Sequence, residues 1–344
     1  MEDKEKKILE FMKKVSPGNP LRIVIDDLIR SNLGALIVFD SPELHGCFEG
    51  GFRINCRFTP QRLFELCKMD GGVILSSDLK RILYSNVTLT PDKKILTDET
   101  GTRHKAAEKT AKQAETFTIA VSERRKKTTV YYNKTKFYLR TVEEVMRGLT
   151  NSLQVLEKQR EQFSELISNL NVLEISNLVS VGDVCKIIQR CEMISRISDS
   201  MKKELIQLGK EGNIIHMRFR ELAKGIDKKL NEMIRDYSPM SLKKTKLLLS
   251  NLTFENLTEI DSIARLIFEE DIEESIVPKG YRFLDYIGIP EAEASQVVLN
   301  LENLNNILKV DEKELETIFK NRAAEMKNEI AELREQVLEG KASF

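Results

Sequence analysis

The sequence predicts an α/β N-terminal domain over residues 1–140, a mixed sheet flanked by helices, followed by an all-α spine over 141–277 and a small all-α domain over 278–344. Three observations carry this reading. Short apolar runs alternate with helix-period segments through the first 140 residues. Proline is absent between Pro91 and Pro239, while apolar residues recur every seventh position from Val142. A Val277-Pro278-Lys279-Gly280 break then opens a tail of short helical segments.

In chain order, PLRIVIDDLIRSN (20–32) reads as an amphipathic helix with Pro20 in its first turn, and LGALIVFD (33–40) as a buried strand. TPQRLFELCKM (59–69) is a second helix, with Thr59 as N-cap and Pro60 at the first helical position. A Gly71-Gly72 turn leads into the strands VILSSD (73–78) and RILYSNVTLT (81–90). A helix starts near Thr102, TFTIAVS (116–122) is a strand, and TTVYYNKTKFYLR (128–140) is a β-hairpin turning at Asn133-Lys134.

From Thr141 the pattern is helical. Val142, Leu149, Leu156, Phe163 and Leu170 lie seven apart, with Met146, Leu153 and Ile167 on the companion position, as in a coiled-coil seam. Ser180 and Asp183 make a capping box for the next helix, and helical pattern continues through MRFRELAKGIDKKLNEMIRD (217–236). In the tail, short helices flank Ile287-Gly288-Ile289-Pro290. A last helix carries Met326, Ile330, Leu333 and Val337 on one stripe before Gly340.

A chain of 344 residues with 41% hydrophobic content can bury more than one core. No run of about 18 apolar residues exists to span a bilayer, and MEDKEKKILEFMKK lacks the apolar core of a secretory signal, so no membrane partner and a cytoplasmic location are expected. Five cysteines without a C-x-x-C pair, and only three histidines, argue against zinc and disulfide frameworks and for buried thiols. The zero net charge hides a division: 26 Lys+Arg against 18 Asp+Glu in residues 1–140 gives +8, and 9 against 13 in 278–344 gives −4. An anionic ligand is expected in the first part, and the last is a poor match for nucleic acid.

The stretch DETGTRHKAAEKTAKQ (98–113) localises that anion. Helix N-termini favour acidic residues because unpaired N–H groups leave partial positive charge there, yet this helix opens with Arg103, His104 and Lys105. Backbone N–H groups after Gly101, the Thr102 hydroxyl and three basic side chains form a phosphate cradle; the bland alternative is a helix whose cations splay into water. Met69-Asp70-Gly71-Gly72 offers a free carboxylate on a turn that a ligand can approach closely, although Asp-Gly turns are common. Ser122-Glu123-Arg124-Arg125-Lys126-Lys127, at a strand end, is either a solvated charge run or a set of guanidinium forks for a polyphosphate. Neither G-x-x-x-x-G-K-[ST] nor G-x-G-x-x-G occurs.

Taken together these residues resemble a known family. Met69-Asp70-Gly71-Gly72 is similar to the DGA motif of diadenylate cyclase domains, and Gly101-Thr102-Arg103-His104-Lys105 resembles their GTRHR motif. Ser16-Pro17-Gly18, Gly50-Gly51-Phe52, Ala120-Val121-Ser122, and Glu108 with Ala111-Lys112-Gln113 match as well. Leu208-Gly209, Glu211-Gly212, Met217 and Arg220-Glu221-Leu222 resemble the helical spine of the DisA family.

The resemblance implies condensation of two ATP into cyclic di-AMP with loss of two pyrophosphates, linked to DNA integrity checking. It implies that Asp70 binds Mg²⁺ or Mn²⁺ and helps deprotonate the attacking hydroxyl. Catalysis falls to Asp70, Arg103 and His104. Gly71, Gly72 and Leu89 contact the nucleotide, Thr102, Arg103, His104, Lys105 and Ala106 hold the phosphates, and Ser122, Arg124 and Arg125 hold the γ-phosphate end. It also implies a homo-oligomer, a dimer of catalytic faces assembled into an octamer, since one such site holds one ATP and a twofold product needs two.

Departures from the pattern keep two rival readings open. Gly72 replaces an alanine, Lys105 replaces an arginine and loses its bidentate fork, and Glu123 stands where an arginine is usual. They motivate a catalytically weakened nucleotide sensor or DNA-repair scaffold. The family tail is made of tandem helix-hairpin-helix elements whose second hairpin carries Gly-hydrophobic-Gly. Here the tail is helix-hairpin-helix-like, with a remnant of the first hairpin at 287–290 and no glycine across 315–323, and a DNA-binding module with DNA as partner is the third reading.

Overall fold

Five consecutive apolar residues form β1 (Ala35–Phe39), and all five are buried. A strand apolar on both faces needs cover on both, so the sheet around it sits between two helical layers. The computed structural model describes residues 2–311, 314, 315, 319 and 322–342. The chain divides into two compact units, Met1–Thr150 with Lys202–His216, and Asn151–Met201 with Met217–Phe344.

The first unit runs α1 (Glu2–Lys14), α2 (Pro20–Arg30), β1, β2 (Phe48–Glu49), β3 (Phe52–Arg57), α3 (Pro60–Cys67), β4 (Gly72–Leu75), β5 (Arg81–Leu89), α4 (Thr102–Gln113), β6 (Phe117–Ser122), β7 (Lys127–Tyr132) and β8 (Thr135–Leu139). The eight-stranded sheet has the order β2-β5-β4-β1-β6-β7-β8, with β3 on β5. β1 and β4 are parallel and the other pairings antiparallel, which makes the sheet mixed.

Side chains of β1 alternate between the layers. Ile37 and Phe39 join Val24, Leu28 and Leu63 beneath α2 and α3, whereas Leu36 faces Ala107 and Ala111 of α4. Those two alanines let α4 lie close to the sheet, and the buried Thr118 hydroxyl donates to the Ala107 carbonyl at 2.9 Å. Thr59 caps α3 through the Arg62 N–H, and the β7–β8 hairpin turns at Asn133-Lys134 with Asn133 at φ 51°. Three elements are absent from the sequence reading. α1 is strongly charged at its start and gains its place through Phe11, stacked on Phe117 at 4.0 Å; β2 and β3 are partly exposed edge strands with no apolar alternation to announce them.

The helices α5 (Val142–Ser176) and α6 (Val181–Leu208) contribute to both units. Leu149, Leu156, Phe163 and Leu170 are buried along α5, as their spacing requires, whereas Val142, Met146 and Leu153 are half-buried. The capping box forms at the start of α6: the Asp183 N–H donates to Ser180 Oγ at 3.3 Å, and Ser180 N–H and Oγ both donate to the Asp183 carboxylate. The segment 217–236 is not one helix. Gly225, at φ +79°, separates α7 (Asn213–Ala223) from α8 (Ile226–Tyr237), because only glycine adopts that conformation without cost.

After α9 (Leu242–Asn251), α10 (Phe254–Thr258) and α11 (Ile260–Ile267), the tail contains α12 (Tyr281–Ile287), α13 (Glu291–Leu301), α14 (Leu304–Lys309) and α15 (Ala323–Leu338). Met326, Ile330, Leu333 and Val337 are buried on the stripe expected of them. The expected change in the second hairpin, over 315–323, falls largely on 316–318, 320 and 321, outside the described residues.

A buried polar network anchors α12. The Asp236 carboxylate accepts the N–H groups of Gly280, Tyr281 and Arg282 at 2.8, 2.6 and 2.9 Å, satisfying the helix start. The Arg282 guanidinium donates to Glu174 and, at 2.8 Å, to Asn171; the Tyr237 hydroxyl also donates to Glu174. All five cysteines are free thiols, four of them buried, with Cys67, Cys185 and Cys191 each pushed up to about 12 by burial. Among the described residues, no helix is long and apolar enough to cross a membrane.

Candidate functional site

Strand direction decides which motifs meet. β1 and β4 are parallel, so their amino ends, at Ala35 and Gly72, lie at one edge of the sheet. Antiparallel pairing brings the carboxyl ends of β5 and β6 to the same edge, through Gly72↔Val87, Ala35↔Val121 and Ser122↔Lys127. In open parallel sheets ligands sit at the carboxyl ends. Here the gathered motifs lie at the amino ends of the parallel pair, because its antiparallel neighbours finish there.

α4 begins at this edge. Its N-cap is Gly101, no side chain caps it, and its first turn holds no acidic residue. Arg103 and His104 are half-buried, whereas Thr102 and Lys105 are exposed. The Arg103 guanidinium rests on the backbone of Gly34: a β-carbon there would lie 2.1 Å from Arg103 Nη1. His104 meets the Tyr131 ring edge-on, with centroids 6.5 Å apart. Burial holds the imidazole below its usual range; Glu99 opposes this, and Arg103 and Arg125 reinforce it.

A cavity of about 300 Å³ brings together His104, Ser122 and Arg125 with Glu99, Lys127, Thr129 and Tyr138. The first three are among the residues singled out in the sequence. Arg124 and Glu123 sit exposed on the β6–β7 turn and do not line the cavity, so the carboxylate that departs from the motif is outside it.

Asp70, Gly71, Gly72 and Leu89 lie at the same edge under β4 and β5, two to three strand spacings away, roughly 10–14 Å. Gly71, at φ +84°, comes so close to β5 that a β-carbon would lie 2.7 Å from the Val87 carbonyl oxygen. Asp70 follows α3 and is exposed. A β-carbon on Gly72 would meet Val87 and Leu36 at 3.4 and 3.6 Å, ordinary contact, so this position accepts either glycine or the alanine of the motif. Ala106 is half-buried in the α4 layer.

Sequence reasoning missed Gly34, Glu99 and Lys136. Gly34 carries no local signal, since what matters is the arginine that packs on it from 69 positions away. Glu99 pairs with Lys136 of β8 at 3.3 Å, a contact made only by folding.

Glu108, Lys112 and Gln113, which the motif comparison picked out, fasten the preceding loop along α4. Gln113 Oε1 accepts the Asp92 N–H at 2.7 Å, Lys112 Nζ donates to the Leu96 carbonyl at 2.9 Å, and Glu108 takes the Thr97 hydroxyl and pairs with Lys112 at 2.8 Å. Lys109 adds a bond to the Lys93 carbonyl at 3.0 Å.

Fold and edge define the class of molecule: a mixed α/β domain with a cationic helix start at one sheet edge, joined to a helical spine. Residues 22–136 match the family described as DisA bacterial checkpoint controller nucleotide-binding, and residues 139–274 match the DisA bacterial checkpoint controller linker region. The chain is 35% identical to the DNA integrity scanning protein DisA of Clostridium botulinum (strain Loch Maree / Type A3), over 98% of both chains. It is 36% identical to that of Clostridioides difficile (strain 630), over 97% of both. The chain belongs to the DisA family. Among solved structures, DacA from Staphylococcus aureus aligns at 21% identity over 43% of this chain and 97% of that chain, with a TM-score of 0.30.

Proposed function

We propose that this chain is a diadenylate cyclase that condenses two ATP into cyclic di-AMP and two pyrophosphates. The observation that carries the proposal is the start of α4: an uncapped helix N-terminus with no acid in its first turn, bearing Arg103, His104 and Lys105 at the edge shared with Asp70. Such an end is electrostatically incomplete without an anion, and a triphosphate supplies one. The span from Asp70 to the His104–Ser122–Arg125 cavity suits a nucleotide laid along the edge, its ribose and α-phosphate toward Asp70 and its γ-phosphate toward Arg125.

In this reading Thr102, His104, Lys105, Ala106 and the α4 N–H groups hold the phosphates, and Arg103, steadied on Gly34, presents its fork to them. Gly71, Gly72 and Leu89 admit the nucleotide close to the backbone, while Ser122 and Arg125 hold the γ-phosphate from within the cavity and Arg124 reaches it from the exposed turn beside it. Asp70 accepts the proton of the 3′-hydroxyl as it attacks the α-phosphorus in line with the departing pyrophosphate.

The donor set fits a hard divalent ion. Asp70 is a lone exposed carboxylate, and no group of three or more metal-ligating side chains occurs among the described residues, which suits Mg²⁺ or Mn²⁺ held mainly by phosphate oxygens and water. Bound there, it would supply charge neutralisation on the phosphates. Because the hydroxyl must come from a second nucleotide, two protomers meet face to face, and specific activity is expected to fall on dilution below the dimer dissociation constant.

The test is incubation with ATP and Mn²⁺ or Mg²⁺ with products resolved by mass. Cyclic di-AMP supports the proposal; ATP bound without product at any protein concentration overturns it in favour of a nucleotide sensor. Placement of Glu123 outside the cavity supports turnover over that alternative. DNA is less well supported: α13, after the 287–290 hairpin, opens with Glu291 and Glu293, where a phosphate contact needs free N–H groups and no negative charge. A band shift at physiological salt that is lost with changes in 278–344 would restore that partner.

Gly34→Ala tests the Arg103 support. Its β-carbon displaces a flexible guanidinium and not backbone, so the fold is expected to survive with a melting temperature within a few degrees of the parent. Affinity for ATP, read by calorimetry, should drop about tenfold, the effect of losing a charge-assisted hydrogen bond of about 1.5 kcal/mol. Unchanged affinity would remove Gly34 from the site.

A further inference from the structure

We propose that Glu99 is a positioning residue, the counter-charge that shares a cavity with His104 and favours its imidazolium at the phosphate site; the inference rests on the cyclase reading above. Glu99 and His104 line the same cavity of about 300 Å³. Among the residues that line it, Glu99 is the one carboxylate, in a lining it shares with Arg125, Lys127 and the imidazole. Its side chain is only 14% exposed, and a buried carboxylate is costly unless paired.

Glu99 is held at two points, its carboxylate by Lys136 and its backbone N–H by Thr97. Lys136 of β8 holds the carboxylate at 3.3 Å, and the Glu99 N–H donates to Thr97 Oγ1 at 3.2 Å. That hydroxyl in turn donates to Glu108 of α4. The loop fastened along α4 therefore delivers one negative charge to the cavity beside His104.

The groups around the imidazole come from four elements. Its own helix contributes Arg103, and Glu108, which is occupied by Thr97 and Lys112. The β6–β7 turn contributes Arg125 and β7 contributes Lys127. Tyr131 of β7 lies edge-on, and β8 contributes Tyr138 and the Glu99-bound Lys136. Burial, Arg103 and Arg125 all favour a neutral imidazole, and Glu99 opposes them. A charged His104 strengthens its hold on phosphate, so the acid adds to a site that is otherwise cationic.

Glu99→Gln keeps the shape and removes the charge. With the influence that favours the imidazolium gone, His104 loses its proton at lower pH, and the alkaline limb of kcat/KM moves toward acid. Activity nearest the parent at pH 5, falling away as pH rises and at least about fivefold lower at pH 8, is expected. Lys136→Met should move the limb the other way, since it leaves the carboxylate to the imidazole; a merely structural bond would make both variants alike. Glu99→Asp should recover part of the loss.

Imidazole NMR titration of His104 in nucleotide-free protein reads the same effect without turnover. A limb and a titration that superimpose on the parent in Glu99→Gln, or displacement of both variants in one direction, overturns the proposal. If no cyclic di-AMP forms but the His104 titration shifts as described, the cyclase reading fails and the pairing of Glu99 with His104 stands.

Discussion

Asp70→Asn is expected to lower cyclic di-AMP formation by about a thousandfold or more while leaving the melting temperature unchanged. The carboxylate is exposed at the turn after α3 and carries none of the core, so folding has no stake in its charge. The chemistry does: the amide neither binds a divalent ion comparably nor takes a proton from the 3′-hydroxyl. Losing about 4 kcal/mol of transition-state stabilisation is a factor of about 10³. Cyclic di-AMP measured by mass under saturating ATP, with ATP affinity measured separately, separates metal and proton roles from binding. Turnover within tenfold of the parent would remove Asp70 from the mechanism.

Arg282→Met is expected to be the most damaging single change to stability, at about 3–5 kcal/mol, because it strips the guanidinium from a carboxylate with no access to water. Glu174 is already pushed up to about 7 by burial, with Arg282 pulling the other way. A carboxyl raised in the folded state keeps a proton that the unfolded chain releases above about 4.5, so its contribution to stability falls as pH rises from there through about 7. Removing Arg282 raises it further and extends that window upward. The deficit against the parent should therefore be larger at pH 8 than at pH 6, when Glu174 takes up a proton and the exposed cost of the charge shrinks. Denaturant midpoints at both pH values measure this, and a loss under about 1 kcal/mol at both would show that the pair contributes little.

Much of the fold was legible because it is written in local periodicity. β1 is a run of five buried apolar residues, α3 carries its own Thr-Pro start, the β7–β8 hairpin turns at Asn133, and α5 buries its seven-residue repeat from Leu149 to Leu170. α1, β2 and β3 were not legible, because their stability comes from partners distant in sequence, Phe11 on Phe117 and β3 on β5. The break at Gly225 was not marked because a single glycine inside a helical pattern costs about 1 kcal/mol and does not by itself end a helix.

The candidate site divides the same way. The sequence by itself determined the chemical types: a helix start bearing Arg103, His104 and Lys105 against its own dipole, a turn carboxylate at Asp70, and a cationic strand end at 124–127. Each was readable because a charge placed against a local field, or a glycine at a turn, is a local property. Only the tertiary structure decided that these fragments share an edge, that Arg103 rests on Gly34, that Glu123 lies outside the cavity and that Glu99 enters it. Those facts depend on the directions of β1, β4, β5 and β6 and on contacts across tens of residues. Strand order and long-range packing arise from summing many weak apolar contacts, and no single stretch of chain contains that sum.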